Sequence, residues 1–196
     1  MESEKIDIIF LIDRSGSMYG SENDTIGGFN SFIAKQKQNE TDARVTTILF
    51  DHGYEVLYKR KNLYDVEDLT RNEYFVRGST ALLDAIGRTI TSMDREIDNK
   101  VLFVITTDGY ENSSKEFTRQ QIKNMINNHN WEFIYLGADI DSYAEASSIG
   151  IRSSRVANYK KTSEGINRMY DCLSDATVCY SKCENLDDSW KEKLEE

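Results

Sequence analysis

Two uninterrupted apolar runs, Ile8-Ile-Phe-Leu-Ile12 and Val101-Leu-Phe-Val-Ile-Thr106, each stop abruptly at an acid set among hydroxyls and glycine. A run without polar interruption has no face to give to water. It therefore reads as a strand covered on both sides, the usual state of a parallel strand inside an α/β sheet. The first run ends in Asp13-Arg-Ser-Gly-Ser17 and the second in Thr107-Asp-Gly-Tyr110. Open α/β sheets place ligands at the carboxyl ends of their strands, and both acids fall there. Asp13, Ser15 and Ser17 offer oxygens at alternate positions, and Gly16 lets the loop fold so that they converge on one point. An oxygen-only set of this kind suits a hard cation.

The rest of the chain alternates strand and helix patterns. Helices are predicted over 25–38, where Ile26, Phe29, Phe32 and Ile33 recur at helical spacing behind Asn23 or Asp24 as cap, and over 81–97, 115–128, 142–148 and 163–183. Strands are predicted over 43–50, 54–59, 131–137 and 156–159. Asp51-His-Gly53 reads as the turn of a hairpin, which makes 54–59 an antiparallel edge. Residues 60–78 read as a polar loop anchored by Leu63, Val66 and Leu69. The Gly27-Gly28 pair weakens the start of its helix, and its expected use is a close backbone approach to the first loop. The fold class expected is α/β: a mainly parallel sheet with one antiparallel edge strand and helices on both faces. It forms a single domain over 1–196, with its core at about 5–183 and a charged C-terminal tail expected to fray.

Charge narrows the partners. The 24 Lys plus Arg against 34 Asp plus Glu leave a formal charge of -10 with no basic block, so nucleic acid and anionic membrane are not expected to bind. The apolar run that follows Glu2, Glu4 and Asp7 is far too short for a signal-peptide core or a membrane span. Cys172, Cys179 and Cys183 are odd in number and share one predicted helical face, which reads as reduced core or interface thiols in a cytoplasmic protein. His52 and His129 are expected to face solvent.

In a doubly wound sheet the first strand and the strand at 101–106 flank the crevice where the winding reverses, so Asp13 and Asp108 face each other across it. Two carboxylates that close repel unless one is protonated or a cation lies between them. Ser15, Ser17 and Thr80 supply neutral oxygens for further positions, with water completing the shell. The absence of His and Cys argues against zinc or copper. Asp13-x-Ser15-x-Ser17, Gly78-Ser-Thr80-Ala-Leu and Thr107-Asp108-Gly109 resemble, in order and spacing, the metal-ion-dependent adhesion site (MIDAS) of von Willebrand factor type A domains. The resemblance implies a Rossmann-like sheet and a Mg²⁺ or Mn²⁺ ion, with Ca²⁺ less suited, held by Ser15, Ser17 and Thr80, with Asp13 and Asp108 steadying the shell. It further implies a protein partner that presents an Asp or Glu side chain to the ion. Met18, Tyr19, Phe75, Arg77 and Tyr110 flank the loops in sequence and are candidates for the rim of that contact.

Two other functions compete. Acidic strand ends also host Mg²⁺-dependent phosphoryl transfer. Haloacid-dehalogenase-type phosphatases, however, carry a second Asp where this chain has Ser15, and response-regulator receivers need a basic residue after a late strand, which 131–139 lacks. Alternatively, the helical stripe Met169 to Cys183 mediates self-association, with a monomer or weak homodimer expected. Serine-nucleophile catalysis has no support, because no Gly-x-Ser-x-Gly elbow or local base accompanies Ser15 or Ser17.

Overall fold

The computed structural model describes residues 5–183 and 185–195. Its strands are β1 (Ile6–Asp13), β2 (Ala43–Phe50), β3 (Tyr54–Asn62), β4 (Lys100–Thr107), β5 (Glu132–Gly137) and β6 (Val156–Asn158). The helices are α1 (Glu22–Gln38), α2 (Leu82–Met93), α3 (Arg119–Asn128), α4 (Ser142–Ser148), α5 (Ser163–Lys182) and the short α6 (Glu192–Glu195). The strands form one sheet in the order β3-β2-β1-β4-β5-β6, parallel throughout except for the antiparallel β2–β3 pair at the edge. No helix among the described residues is long and apolar enough to cross a membrane.

Every residue of β1 is buried, and strand alternation sorts its side chains between two cores. Ile6, Ile8, Phe10 and Ile12 join the layer built from α1 and α5, where Phe10 meets Phe29 and Phe32 edge-on at ring-centroid distances of 5.2 and 5.0 Å. Ile9 and Leu11 join the opposite layer with Ile86 and Ile90 of α2 and Ile122 of α3. Each such side chain contributes roughly 2 kcal/mol relative to leaving it in water, which is why an unbroken apolar run belongs at the centre of a covered sheet. Asp7 is the exception in β1. It is 1% exposed and accepts hydrogen bonds from Arg60 Nε at 2.9 Å and Asn99 Nδ2 at 2.8 Å. Arg60 lies past the predicted end of the edge strand at 59, and its ion pair accompanies the continuation of β3 to Asn62.

From β1 the chain builds β2 and β3 on one side, then returns to lay β4 on the other. Winding therefore reverses between β1 and β4, and a crevice opens at their carboxyl ends. Ile12 pairs with Thr106 on the last shared rung, which brings Asp13 and Thr107-Asp108 to the same edge.

Several expectations need correction. α1 begins at Glu22 behind Ser21, so Asn23 and Asp24 lie inside its first turn instead of capping it. Gly28 does not approach the first loop: a Cβ there would lie 2.2 Å from the ring of Tyr170, so the missing side chain lets α5 press against α1. α2 stops at Met93 instead of 97, and α3 starts at Arg119 because Thr118 and Gln121 form a reciprocal capping box. The backbone N–H groups of Lys115, Glu116 and Phe117 donate to the Asp84 carboxylate instead of entering the helix. Of the thiols only Cys172 is buried; Cys179 and Cys183 are exposed. Met169, Tyr170, Leu173, Ala176 and Tyr180 of that helical stripe lie in the core on the α1 side of the sheet. His129 is half-buried against Trp131, with Nε2 2.7 Å from Asp94 Oδ1 and Nδ1 2.6 Å from the Met125 carbonyl. The tail packs instead of fraying: Leu186 and Leu194 are buried, and Trp190 Nε1 donates to the Ser154 carbonyl at 2.9 Å.

Replacing Gly28 by Ala sets two effects against each other. Helix propensity favours Ala by about 1 kcal/mol, whereas the contact with a ring buried in the core must force a shift costing roughly 1–3 kcal/mol. The expected outcome in urea denaturation is a net loss of stability for G28A, and a smaller loss when the same change is made in a Tyr170→Leu background and compared with Tyr170→Leu alone.

Candidate metal centre

Asp13 closes β1 and is fully buried. Its Oδ1 accepts the Ser15 backbone N–H at 2.6 Å and its Oδ2 accepts the Thr107 hydroxyl at 2.6 Å, so both oxygens are engaged and the side chain ties the β1 loop to β4. Tyr74 donates its hydroxyl to the Asp13 carbonyl at 2.7 Å. Burial raises the Asp13 carboxyl, the hydrogen bonds from Ser15 and Thr107 offset part of that rise, and the neighbouring Asp108 charge adds a small upward push, so that the carboxyl ends at about 6.

The second segment is stitched to the first through the backbone. Arg77 N donates to the Arg14 carbonyl and Gly16 N to the Gly78 carbonyl, each at 2.9 Å. Gly78 has φ +67°, a conformation that favours glycine, and a Cβ there would also displace the exposed His52 ring, 2.0 Å away. The stitching delivers Thr80, whose hydroxyl donates to Ser15 Oγ at 2.9 Å, while Ser15 Oγ and Ser17 Oγ lie 3.1 Å apart. Ser15 and Thr80 are buried and Ser17 is exposed, so the three hydroxyls open to solvent on the Ser17 side. The third segment passes directly over them. A Cβ on Gly109 would fall 2.8 Å from Thr80 Oγ1, 2.9 Å from Ser17 Oγ and 3.5 Å from Ser15 Oγ, so glycine keeps the cradle clear. Asp108 beside it is 6% exposed; its Oδ1 has no hydrogen-bond partner among the described residues, and its Oδ2 lies 2.7 Å from Lys161 Nζ.

The structure thus brings Ser15, Ser17 and Thr80 into mutual contact, joins Asp13 to the same loops, and sets Asp108 next to the glycine that covers them. Only hard oxygens converge, and one buried carboxylate oxygen lacks a partner, which is a donor set that fits a small divalent cation. No cluster of three His, Cys, Asp or Glu side chains suited to a metal occurs among the described residues, so any such site depends on the hydroxyls.

The rim candidates divide. Tyr19 is 80% exposed, and Phe75 and Tyr110 are also exposed, whereas Met18 is 2% exposed and belongs to the interior. Tyr110 accepts the Asp141 backbone N–H on its hydroxyl at 3.0 Å. Arg77 is half-exposed but committed: its Nε donates to Asp51 Oδ2 at 2.8 Å, and Arg14 Nε reaches the same oxygen at 3.1 Å. The two guanidinium groups lie 5.0 and 5.5 Å from the centre of the Phe75 ring. Desolvation acts to raise the Asp51 carboxyl, but the Arg77 bond, the Gly53 N–H and the Arg14 charge outweigh it and hold it below the usual range.

Sequence reading missed four supporting residues. Arg14 is a fully buried arginine at a position the motif leaves open, and Asp51 looked like an ordinary turn residue. Asn112 accepts the Thr80 N–H on its side chain at 2.9 Å and donates its own N–H to the Thr80 carbonyl at 3.0 Å, which fixes the threonine. Lys161 enters from the loop after β6, far away in sequence. Only the charged Arg inside an otherwise small-residue loop was a usable signal.

Two outcomes follow. Asp51→Asn removes the buried counter-charge of Arg14 and leaves it only the half-exposed Glu55, 2.7 Å from its Nη1, and is expected to cost roughly 3 kcal/mol in denaturant unfolding. Because Asp13 has its pKa raised on folding, the metal-free protein binds an extra proton between about 4 and about 6, so its stability falls as pH rises through that window, by roughly 3 kcal/mol in total. Asp13→Asn removes this component. In EDTA at pH 7.5 it should therefore melt above the wild type, with the difference vanishing near pH 4; an equal or lower melting temperature at pH 7.5 would refute the burial argument.

The sequence matches the family model of the von Willebrand factor type A domain over residues 7–171. A comparison with curated protein sequences finds no match. Among solved structures, pilus adhesin SpaC from Lactobacillus rhamnosus GG in its open conformation is similar with a TM-score of 0.72 at 12% identity, over 91% of this chain and 30% of that one. The vWF domain of the type V pili tip protein Mfa5 from Porphyromonas gingivalis gives 0.70 at 10% identity, over 96% and 100%. Proximal thread matrix protein 1 from the mussel byssus, solved with a zinc-occupied MIDAS motif, gives 0.67 at 13% identity, over 91% and 46%. This chain spans less than half of the mussel and SpaC chains, and at such identities the likeness is one of fold. The family match covers most of the sequence: the chain belongs to the von Willebrand factor type A domain family.

Proposed function

We propose that this domain is a metal-dependent protein-interaction module in which Asp13, Ser15, Ser17, Thr80 and Asp108 form a metal-ion-dependent adhesion site. The carrying observation is the contact among three hydroxyls from two separated segments, with the unpartnered Asp108 Oδ1 beside the glycine that covers them. Ser15, Ser17 and Thr80 would hold a divalent cation, Mg²⁺ or Mn²⁺, through neutral oxygens. Asp13 keeps the Ser15 loop and β4 in register through its two hydrogen bonds. A cation held mainly by hydroxyls and water stays electrophilic and supplies a position for a carboxylate from outside. The mussel protein's zinc removes one argument about identity, since the absence of His and Cys ligands does not by itself exclude zinc here.

The partner chemistry follows from the surroundings. A charge of -10 repels acidic proteins at long range, so the ion supplies the local attraction for an Asp or Glu side chain. Exposed Tyr19, Phe75 and Tyr110 provide the aromatic surface that interfaces favour. Affinity is modest and metal-dependent.

Phosphoryl transfer is the second reading, and one observation favours it: a basic residue does reach Asp108, although from the loop after β6 instead of 131–139. Against it, Ser15 stands where a dehalogenase-type second Asp is needed, and both Asp13 oxygens are occupied by hydrogen bonds.

The deciding experiment is a pull-down from the native lysate with Mg²⁺ against EDTA, followed by binding titration of the recovered partner. Binding is expected to disappear with EDTA and with Asp13→Ala or Thr80→Ala; unchanged affinity in both conditions would exclude the module. Turnover of a generic aromatic phosphate that Asp13→Asn abolishes would favour the enzyme instead.

A further inference from the structure

The Lys161 side chain is the feature that the proposed site does not use. It sits between β6 and α5, and its ammonium group contacts two of the site's segments at once: Asp108 Oδ2 at 2.7 Å and the backbone carbonyl of Ser17, to which it donates a hydrogen bond. It is only 24% exposed, and the Asp108 side chain it pairs with is 1% exposed. Lysine ordinarily keeps its ammonium group in water and surrenders about 2 kcal/mol of rotamer freedom when it is pinned. The chain around it is ordered for the purpose. Thr162 caps α5 by accepting the Gly165 N–H at 3.0 Å, and Ser163 Oγ donates to Asp24 Oδ2 at 2.9 Å on α1. A Cβ on Gly165 would lie 2.1 Å from the Lys160 carbonyl, so the glycine lets the loop fold tightly onto the helix start.

We infer that Lys161 is a tethered cation that competes with the divalent ion for the Asp108 side of the centre and lowers the affinity of the site for metal. This rests on the adhesion-site reading above and specifies its regulation. Asp108 has one oxygen paired with the ammonium and one without a partner, so the carboxylate is already half-neutralised from within the chain. A unit positive charge one carboxylate away from a divalent ion weakens its binding by about tenfold even at the dielectric constant of water, and by more in a buried site. The domain therefore loads only where the cation is abundant, and an acidic partner group that draws the ammonium away from Asp108 raises the metal affinity at the same time. Ligand and metal then bind with positive coupling, and the coupling is reciprocal.

The test titrates Mg²⁺ calorimetrically, and Mn²⁺ by electron paramagnetic resonance, into the full chain as wild type, Lys161→Met and Lys161→Arg, with folding checked by circular dichroism. K161M is expected to bind either ion at least about tenfold more tightly than wild type, and K161R, which keeps the charge, to stay close to wild type. Melting in EDTA adds an independent readout: K161M loses the Asp108 partner and should melt lower than wild type, then gain more from Mg²⁺ than wild type gains. If K161M does not fold, Lys161→Gln carries the same comparison. Wild type that binds metal with K161M no tighter overturns the inference and leaves the adhesion site standing. Failure of every variant to bind either ion overturns both.

Discussion

β1 must be covered on both faces, and that constraint positions everything else. An unbroken apolar run has only one comfortable place in an α/β fold, the middle of the sheet, with α1 and α5 on one side and α2 and α3 on the other. Once β1 is central, its neighbours on the two sides are reached by opposite winding, and the crevice between β1 and β4 is unavoidable. The acid that ends β1 is then delivered to that crevice with no freedom of its own. Asp13 is therefore both the last residue of the core and the first of the site. Its two hydrogen bonds convert strand packing into the geometry of three loops.

The three acids around the crevice are compensated in different ways. Asp51 is buried between Arg14 and Arg77, and this cluster together with the backbone stitching of residues 77–78 to 14–16 holds the Thr80 segment against the β1 loop. Asp13 is compensated only by neutral donors, so its burial pushes its pKa upward. Asp108 leans on Lys161. The site thus concentrates negative charge that the fold tolerates at some expense in stability, the pattern expected where an electrostatic task has been built into an otherwise apolar core.

Glycine does as much as any charged group to define this centre. Gly28, Gly78, Gly109 and Gly165 each mark a place where a side chain atom would collide with Tyr170, His52, the hydroxyl cradle or the Lys160 carbonyl. Close approach of elements is the common factor, and only the last three concern the site. Gly28 shows how a glycine's purpose escapes a linear reading: its partner is Tyr170 on α5, which no spacing rule connects to it.

By itself the sequence determined the strands that are buried on both faces, the hairpin edge, and the short polar loops around residues 13–17, 78–80 and 107–109 that the fold brings together, because period, run length and short polar loops are local properties. Helix limits were less legible, since the Thr118 side chain and the Asp84 carboxylate decide where backbone donors around the start of α3 find partners. Only the tertiary structure decided that Met18 turns inward while Tyr19 turns out, that Cys179 and Cys183 leave the core stripe, and that Asp51 is an ion-pair hub instead of a turn residue. It also decided that Lys161 reaches Asp108. The physical reason is the same in each case: a contact between residues distant in the chain depends on how layers pack and loops close, and one-dimensional periodicity carries no information about either.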